Sequence, residues 1–247
     1  MAQIITTAVI KGGTGKSTTA AALAQAAAAA GQRVLAIDID PQSNLTFFLA
    51  ADQNQPGTYQ LLHGTPAADL VQHSPQGLDV IAGSPDLATE KTTPASAKRL
   101  QKAIEPLKKD YDWIFIDTPP MMGELLYNAL QAATGLLIPL EADTNALEGL
   151  YQIAEIARQI QNSNPALQIL GTVLTRFDAR PKINRALQEA IATAGAELEA
   201  PLLGIIRPGT AIKEAQTLQL NLFEHAPKSN PAQDYKKIYE TIQEAKQ

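Results

Sequence analysis

The chain has no cysteine, a single tryptophan and three histidines in 247 residues. Without thiols it has no disulfide, no thiolate metal site and no cysteine nucleophile, which suits a reducing compartment. His63, His73 and His225 lie far apart and lack metal-ligand spacing, so they read as structural or surface groups. Basic charge is also short. The formal net charge is −5, which gives no overall pull toward nucleic acid or anionic membrane; any such contact needs a local basic patch. Long apolar runs are missing too. The alanine-rich stretch Thr18–Ala30 is about 13 residues long, against the roughly 20 needed to span a bilayer. The opening MAQIITTAVI carries no basic n-region of a secretory signal. The expectation is a soluble, cytoplasmic protein.

What is present is a globular composition, 45% hydrophobic and 18% charged. The length fits one domain over residues 1–247, with no linker, repeat or shift in composition. Apolar runs alternate with helical patterns, the signature of βαβ units. Strands are expected over Ile4–Ile10, Arg33–Ile39, Leu78–Ile81, Trp113–Ile116, Gly135–Leu140, Leu167–Thr175 and Leu202–Ile206. Helices are expected over Lys16–Ala30, Ser96–Lys109, Asn145–Gln161, Ile183–Ala194 and Pro231–Lys246. The fold class is therefore α/β: a doubly wound, mostly parallel sheet flanked by helices, with its ligand site at the carboxyl ends of the strands.

Between the first strand and first helix lies Lys11-Gly12-Gly13-Thr14-Gly15-Lys16-Ser17-Thr18. A strand, a glycine loop and a helix make a phosphate-binding loop, but the motif G-x-x-x-x-G-K-[ST] wants a glycine where this chain has Ile10. Backbone N–H groups from Gly12 to Lys16 suit the β- and γ-phosphates of a nucleotide. Lys16 reaches phosphate oxygens, Ser17 is a Mg²⁺ ligand and Thr18 bonds the α-phosphate. Phosphoryl transfer also needs carboxylates for the metal and a group to orient water. Asp38 and Asp40, in "DIDPQSN" after the second strand, are candidates. Such a DxDP is weak by itself, since it equally ends a strand, but gains weight one βα unit after the loop. "WIFID" ends a third apolar strand in Asp117, a carboxylate of Walker B form for Mg²⁺.

"KGGTGKST" resembles the deviant Walker A motif of the ParA/MinD superfamily of ATPases. "DIDP", "DTPPMMG", "LTRFDAR" and "IIRPGTAIKEA" extend the resemblance along nearly the whole chain, toward small ParA proteins of the Soj type. The resemblance implies an ATPase with ATP and Mg²⁺ as cofactors and Lys11, Lys16 and Asp40 as catalytic groups. Lys11 would reach the partner's nucleotide in an ATP-dependent sandwich homodimer, and Asp40 would position the attacking water. Asn44 would sense the γ-phosphate. Pro119, Pro120 and Gly123 would shape a loop that responds to the nucleotide. Arg176, Arg207 and Pro208 would contact the base or ribose.

The same resemblance implies nucleoid association through non-specific DNA binding. Candidate phosphate contacts are Arg180, Lys182, Arg185, Lys213 and Lys228; Lys98, Arg99, Lys102, Lys108 and Lys109 form a second, lower-ranked cluster. It also implies a ParB-like or cargo-adaptor activator and a cargo that is a plasmid, a chromosome origin or a protein compartment. Two departures stand out: "QEAIATAGAELEAP" before the last strand is acidic, where relatives carry bases, and "QTLQLNLFEHAPKSN" lacks the usual proline and glycine. With no stretch before the first strand, an operator-reading domain is not expected. A MinD-like membrane-bound ATPase is the alternative within the superfamily. However, the apolar face Tyr235, Ile238, Tyr239 and Ile242 of the last helix suits docking on the protein itself. A metabolic P-loop synthetase or kinase is the alternative outside it.

Overall fold

The structure is a computed structural model that describes residues 2–90 and 97–245. In chain order the strands and helices are β1 Gln3–Thr7, α1 Lys16–Ala29, β2 Val34–Asp38, α2 Asn44–Phe48, α3 Thr58–Leu62, β3 Gln72–Ser74, β4 Leu78–Ile81, α4 Arg99–Ile104, β5 Trp113–Asp117, α5 Glu124–Ala132, β6 Gly135–Glu141, α6 Ala146–Gln161, β7 Gln168–Thr175, α7 Lys182–Glu197, β8 Leu202–Ile205, α8 Ala211–Thr217, α9 Leu222–His225 and α10 Asn230–Glu244. Short 3₁₀ turns lie at Ala67–Leu70, Pro85–Thr89 and Glu105–Lys109.

The strands form one eight-stranded sheet in the order β3-β4-β2-β5-β1-β6-β7-β8. Every pairing is parallel except β3 with β4. This is the expected doubly wound α/β sheet, with an antiparallel edge strand that the sequence reading did not include. Alternation along the strands sorts side chains into two layers. Val34 and Ala36 of β2, with Trp113 and Phe115 of β5, face a cluster built from α1 and α10. Leu35, Ile37, Ile114 and Ile116 face the layer of α3, α4 and α5. Leu136, Ile138 and Leu140 of β6 pack under α6 and α7.

Helix α1 reads KSTTAAALAQAAAA, and most of its length is buried. Alanine favours helix at every position and lets the helix lie close to the sheet. Tyr235, Ile238, Tyr239 and Ile242 of α10 are buried against this layer. The Tyr235 hydroxyl lies 3.1 Å from Thr19 Oγ1 on α1. Among the described residues no helix is long and apolar enough to cross a membrane.

Three boundaries move for physical reasons. The expected helix Ser96–Lys109 is a short α-helix, Arg99–Ile104, followed by a 3₁₀ turn. Pro106 has no N–H to continue the α ladder; Ser96 lies outside the described residues. The first strand stops at Thr7, short of Ile10, where the chain turns into the glycine loop. The last helix starts at Asn230, one residue before Pro231, capped by the Ser229 hydroxyl on Ala232 N. Lys246 lies outside the described residues.

Candidate active site

β5 pairs Asp117 with Thr7 of β1 on one side and with Asp38 of β2 on the other. Three strand ends therefore open beside one another, in the order β2, β5, β1, and the loop 8–15 rises from β1. Gly15 caps α1 in the left-handed region at φ 89°. A Cβ there would also sit 3.3 Å from Thr175 Cγ2, so glycine is favoured by conformation and a side chain would press on Thr175. Thr175 holds the loop from β7 by donating its hydroxyl to the Thr14 carbonyl at 2.8 Å. No acidic side chain occupies the first turn of α1, which leaves the positive end of its dipole available to an anion.

Lys16 is buried and donates from Nζ to the Lys11 carbonyl at 2.7 Å, closing the loop on itself. Burial pulls its pKa down, and the carboxylates of Asp117 and Asp40 work against that. Asp38 is fully buried. Its Oδ2 accepts hydrogen bonds from Thr46 N and Thr46 Oγ1, both at 2.8 Å, and Oδ1 accepts from Asp40 N at 3.0 Å. Burial still raises its pKa to about 6, against those three bonds. Asp117 is also fully buried and is pushed well up, first by burial and then by Asp38; the Ser17 hydroxyl and Lys16 oppose the shift. Asp117 Oδ2 has no hydrogen-bond partner.

Two desolvated carboxyls at neighbouring strand ends, one with an unsatisfied oxygen and a serine hydroxyl beside it, form a hard oxygen donor set. Such a set fits Mg²⁺, and a divalent cation would favour the ionised carboxylates that burial alone disfavours. Asp40 is 5% exposed, and its Oδ1 accepts from Gln42 N at 2.9 Å, which fixes the carboxylate at the start of the turn through Pro41. Asn44, the first residue of α2, is exposed. Pro119 and Pro120 follow β5, and Met121 and Met122 beside them are 64% and 56% exposed.

The remaining candidates divide between the glycine loop and more distant surfaces. Lys11 is paired with Asp143, from the loop between β6 and α6. Thr18 accepts a hydrogen bond from Gln216 of α8 at 3.0 Å. Arg176 sits at φ 51° just past β7; its guanidinium donates to the Gly13 carbonyl at 2.5 Å and to Glu141 at 2.7 Å. Arg207 forks onto Asp234 of α10, with its closest contact at 2.7 Å. Arg207 and Pro208 line an open groove of about 890 Å³ that also takes in Arg180, Arg185 and Lys237. Arg180 is itself paired with Asp178 at 2.6 Å, while Lys182, Arg185, Lys213 and Lys228 are exposed. In the second basic cluster Arg99 faces inward and pairs with Glu90 and Glu124. Each histidine has a carboxylate neighbour: His63 with Glu90, His73 with Asp79 and His225 with Glu214.

Sequence reasoning missed Thr46, Asp143 and Glu141. Thr46 stands eight residues past the carboxylate it serves, inside a helix too short to read from periodicity. Asp143 stands 132 residues from Lys11, and nothing local to "EADTNALEG" signals that contact.

A phosphate-type loop on a parallel sheet, with a buried lysine and two buried carboxyls at adjoining strand ends, defines a P-loop nucleotide hydrolase. The family model described as "AAA domain" matches residues 2–169. The chromosome-partitioning ATPase Soj of Thermus thermophilus is 32% identical over 234 residues, covering 94% of this chain and 92% of that protein. Among solved structures, an ATP complex of a Cyanothece McdA variant superposes with a TM-score of 0.85 at 27% identity, covering 99% and 96% of the two chains. A cobyrinic acid a,c-diamide synthase from Mycobacterium smegmatis with bound ADP and magnesium gives a TM-score of 0.81 at 27% identity, covering 98% and 94%. The chain belongs to the ParA/MinD superfamily of P-loop ATPases, on its Soj-like ParA side.

Proposed function

We propose that the protein is a Mg²⁺-dependent ATPase of the ParA type that positions a cargo on DNA. The observation that carries this reading is the meeting of Lys16, Asp38, Asp40 and Asp117 at the ends of β1, β2 and β5. Gly12, Gly13, Thr14 and Gly15 cradle the phosphates with their N–H groups, and Lys16 neutralises their charge. Ser17, Asp38 and Asp117 would hold Mg²⁺, which when bound would offset the negative charge developing on the phosphates. Asp40, fixed by its turn, orients the attacking water. Lys11 reaches the nucleotide of a second copy in a sandwich dimer. Arg176, Arg207 and Pro208 border the base side.

In the ATP-bound dimer, Arg180, Lys182, Arg185, Lys213 and Lys228 contact duplex phosphates without reading sequence, giving nucleoid association. The doubled patches act together against the overall negative charge. A ParB-like or cargo-adaptor partner stimulates hydrolysis and releases the dimer. Support for this comes from relatives such as the chromosome-partitioning Soj. The test uses Asp40→Ala protein on random duplex DNA, with ATP-Mg²⁺ or ADP, across a salt series. The reading expects binding with ATP alone that weakens steeply with salt. Equal binding in both nucleotides, or none at low salt, would remove DNA as the track.

The likeness in fold to the diamide synthase favours one second reading, a metabolic P-loop ligase. Its ATPase rate would ignore DNA, whereas a ParA-type rate responds to it.

A further inference from the structure

Two consecutive residues at the end of β7 hold two consecutive carbonyls of the glycine loop. Thr175 is buried and donates its hydroxyl to the Thr14 carbonyl at 2.8 Å, with the Leu140 carbonyl of β6 farther off at 3.2 Å. Arg176 donates from Nη2 to the Gly13 carbonyl at 2.5 Å and, with the second hydrogen of the same nitrogen, to Glu141 Oε2 at 2.7 Å. In a continuing strand these two neighbours would point to opposite faces. Arg176 instead adopts φ 51°, a left-handed backbone that non-glycine residues seldom take, and both side chains reach the same loop. Such an outlier beside a site asks for a function.

Within the loop, Thr14 stands between Gly13 at φ 79° and Gly15 at φ 89°, two positions where the backbone is free to swing. The Thr14 side chain does not steady it. The residue is 1% exposed, yet its hydroxyl has no hydrogen-bond partner among the described residues. The stretch between the two glycines is therefore oriented through its carbonyls. A trans peptide is planar, so the N–H that follows each carbonyl points the opposite way. With the Gly13 and Thr14 carbonyls drawn toward β7, the Thr14 and Gly15 N–H groups are turned away from it, as donors for an anion.

From this geometry we infer that Thr175 and Arg176 are positioning residues that set the glycine loop in its phosphate-binding shape before a nucleotide arrives. Arg176 thus serves the phosphates through the loop rather than the base. The inference rests on the reading that this loop receives the nucleotide phosphates. Bound phosphates hold the same N–H groups themselves, so the grip matters most in the free protein. Losing it lowers the fraction of molecules ready to bind, and apparent affinity weakens by that fraction. The Thr175 bond is buried and neutral, and is worth a factor of about 2 to 13; the Arg176 bond is more than half exposed and is worth about 1.4 to 5.

The test is displacement of a fluorescent ATP analogue by ATP-Mg²⁺ and by inorganic tripolyphosphate with Mg²⁺, which carries no base, together with stopped-flow rates for the analogue. The proteins are the parent, Thr175→Val, Thr175→Ser, Arg176→Gly and Lys16→Ala. Glycine suits φ 51°, so Arg176→Gly keeps the turn while removing the guanidinium. The grip expects Thr175→Val and Arg176→Gly each to weaken ATP and tripolyphosphate by one shared factor, within the ranges above. It expects the loss in the association rate, and Thr175→Ser to keep the parent affinity. A base contact at Arg176 would weaken ATP alone in Arg176→Gly, and that result overturns the inference. So does an unchanged affinity in either variant that folds, a loss carried by the dissociation rate, or a parent displaced by ATP but never by tripolyphosphate. Should Thr175→Val fail to fold, Arg176→Gly decides alone. Tight ATP binding retained in Lys16→Ala overturns the phosphate-loop reading itself, and the grip with it.

Discussion

Replacing Thr46 by valine removes one hydroxyl and almost no volume, yet the structure assigns that hydroxyl two buried bonds. It donates to Asp38 Oδ2 at 2.8 Å and accepts from Gly83 N at 2.8 Å. Thr46 and Asp38 are both fully buried, so water does not replace either bond. A hydrogen bond to a charged acceptor contributes about 1.5–3 kcal/mol, and an orphaned buried N–H costs about 1–3 kcal/mol. The two share one atom and do not add fully, so a loss of about 2–4 kcal/mol is expected near pH 7.5. For a chain of this size that lowers Tm by about 4–16 °C. The loss also depends on pH, with a definite sign. Asp38 titrates at about 6 in the folded chain; below that it is neutral and the Thr46 bond falls to about 0.5–1.5 kcal/mol. At about pH 5 the penalty should therefore shrink by roughly 1 kcal/mol. The assay is thermal unfolding of nucleotide-free protein, parent and Thr46→Val, at both pH values. A penalty below about 0.5 kcal/mol at pH 7.5, or one equal at both, would refute the account of Asp38 as an ion held by Thr46.

Lys16→Ala should abolish ATP binding, measured by fluorescent-nucleotide titration; retained tight binding would reject the phosphate-loop assignment. Lys11→Ala should still bind nucleotide as a monomer but lose dimerisation or turnover, and an unchanged rate and dimer would return Lys11 to a plain loop charge. Stability of the ligand-free chain should fall as pH rises from about 4 to 7. Burial raises Asp38 from the ordinary carboxylate value of 3.8 to about 6, so the folded state holds that proton more tightly, and the advantage, about 3 kcal/mol from Asp38 alone, is lost as pH passes the folded pKa. Urea unfolding across that range checks it. Mg²⁺ with ADP should flatten or invert the slope, because a bound cation favours the ionised carboxyls; a slope unaffected by Mg²⁺ and ADP would separate the carboxyl pair from the metal.

The parallel sheet was legible because its strands are short apolar runs bounded by turn residues, and β5 and β6 were found within a residue or two. The phosphate loop was legible because its signal is local: glycines, a lysine and a serine between a strand and a helix. What escaped was whatever depends on distant pairing. The β3 edge strand, QHS, is too short and polar to announce itself. The helix before β5 was read through Pro106 because Leu100, Ile104 and Leu107 keep their spacing across it, and all three are buried. The 3₁₀ turn preserves the face while ending the α-helix. The resemblance implies Arg176 and Arg207 as base or ribose contacts; their engagement by Glu141 and Asp234 is set by β6 and α10, which no local pattern couples to them.

The strand that bears the glycine loop comes first in the chain but sits fifth in the sheet, between β5 and β6. During synthesis it therefore waits. Asp117 of β5 and Glu141 at the end of β6 must both leave the ribosome before β1 can be paired on its two sides. Until then the longest early segment is the alanine helix, which forms fast and locally, whereas strand pairing across more than a hundred residues is slow. The loop should thus stay unable to hold nucleotide until well over half the chain has been made. Arrested nascent chains ending before β6 should be protease-sensitive throughout, and nucleotide should begin to protect them only once β6 has emerged.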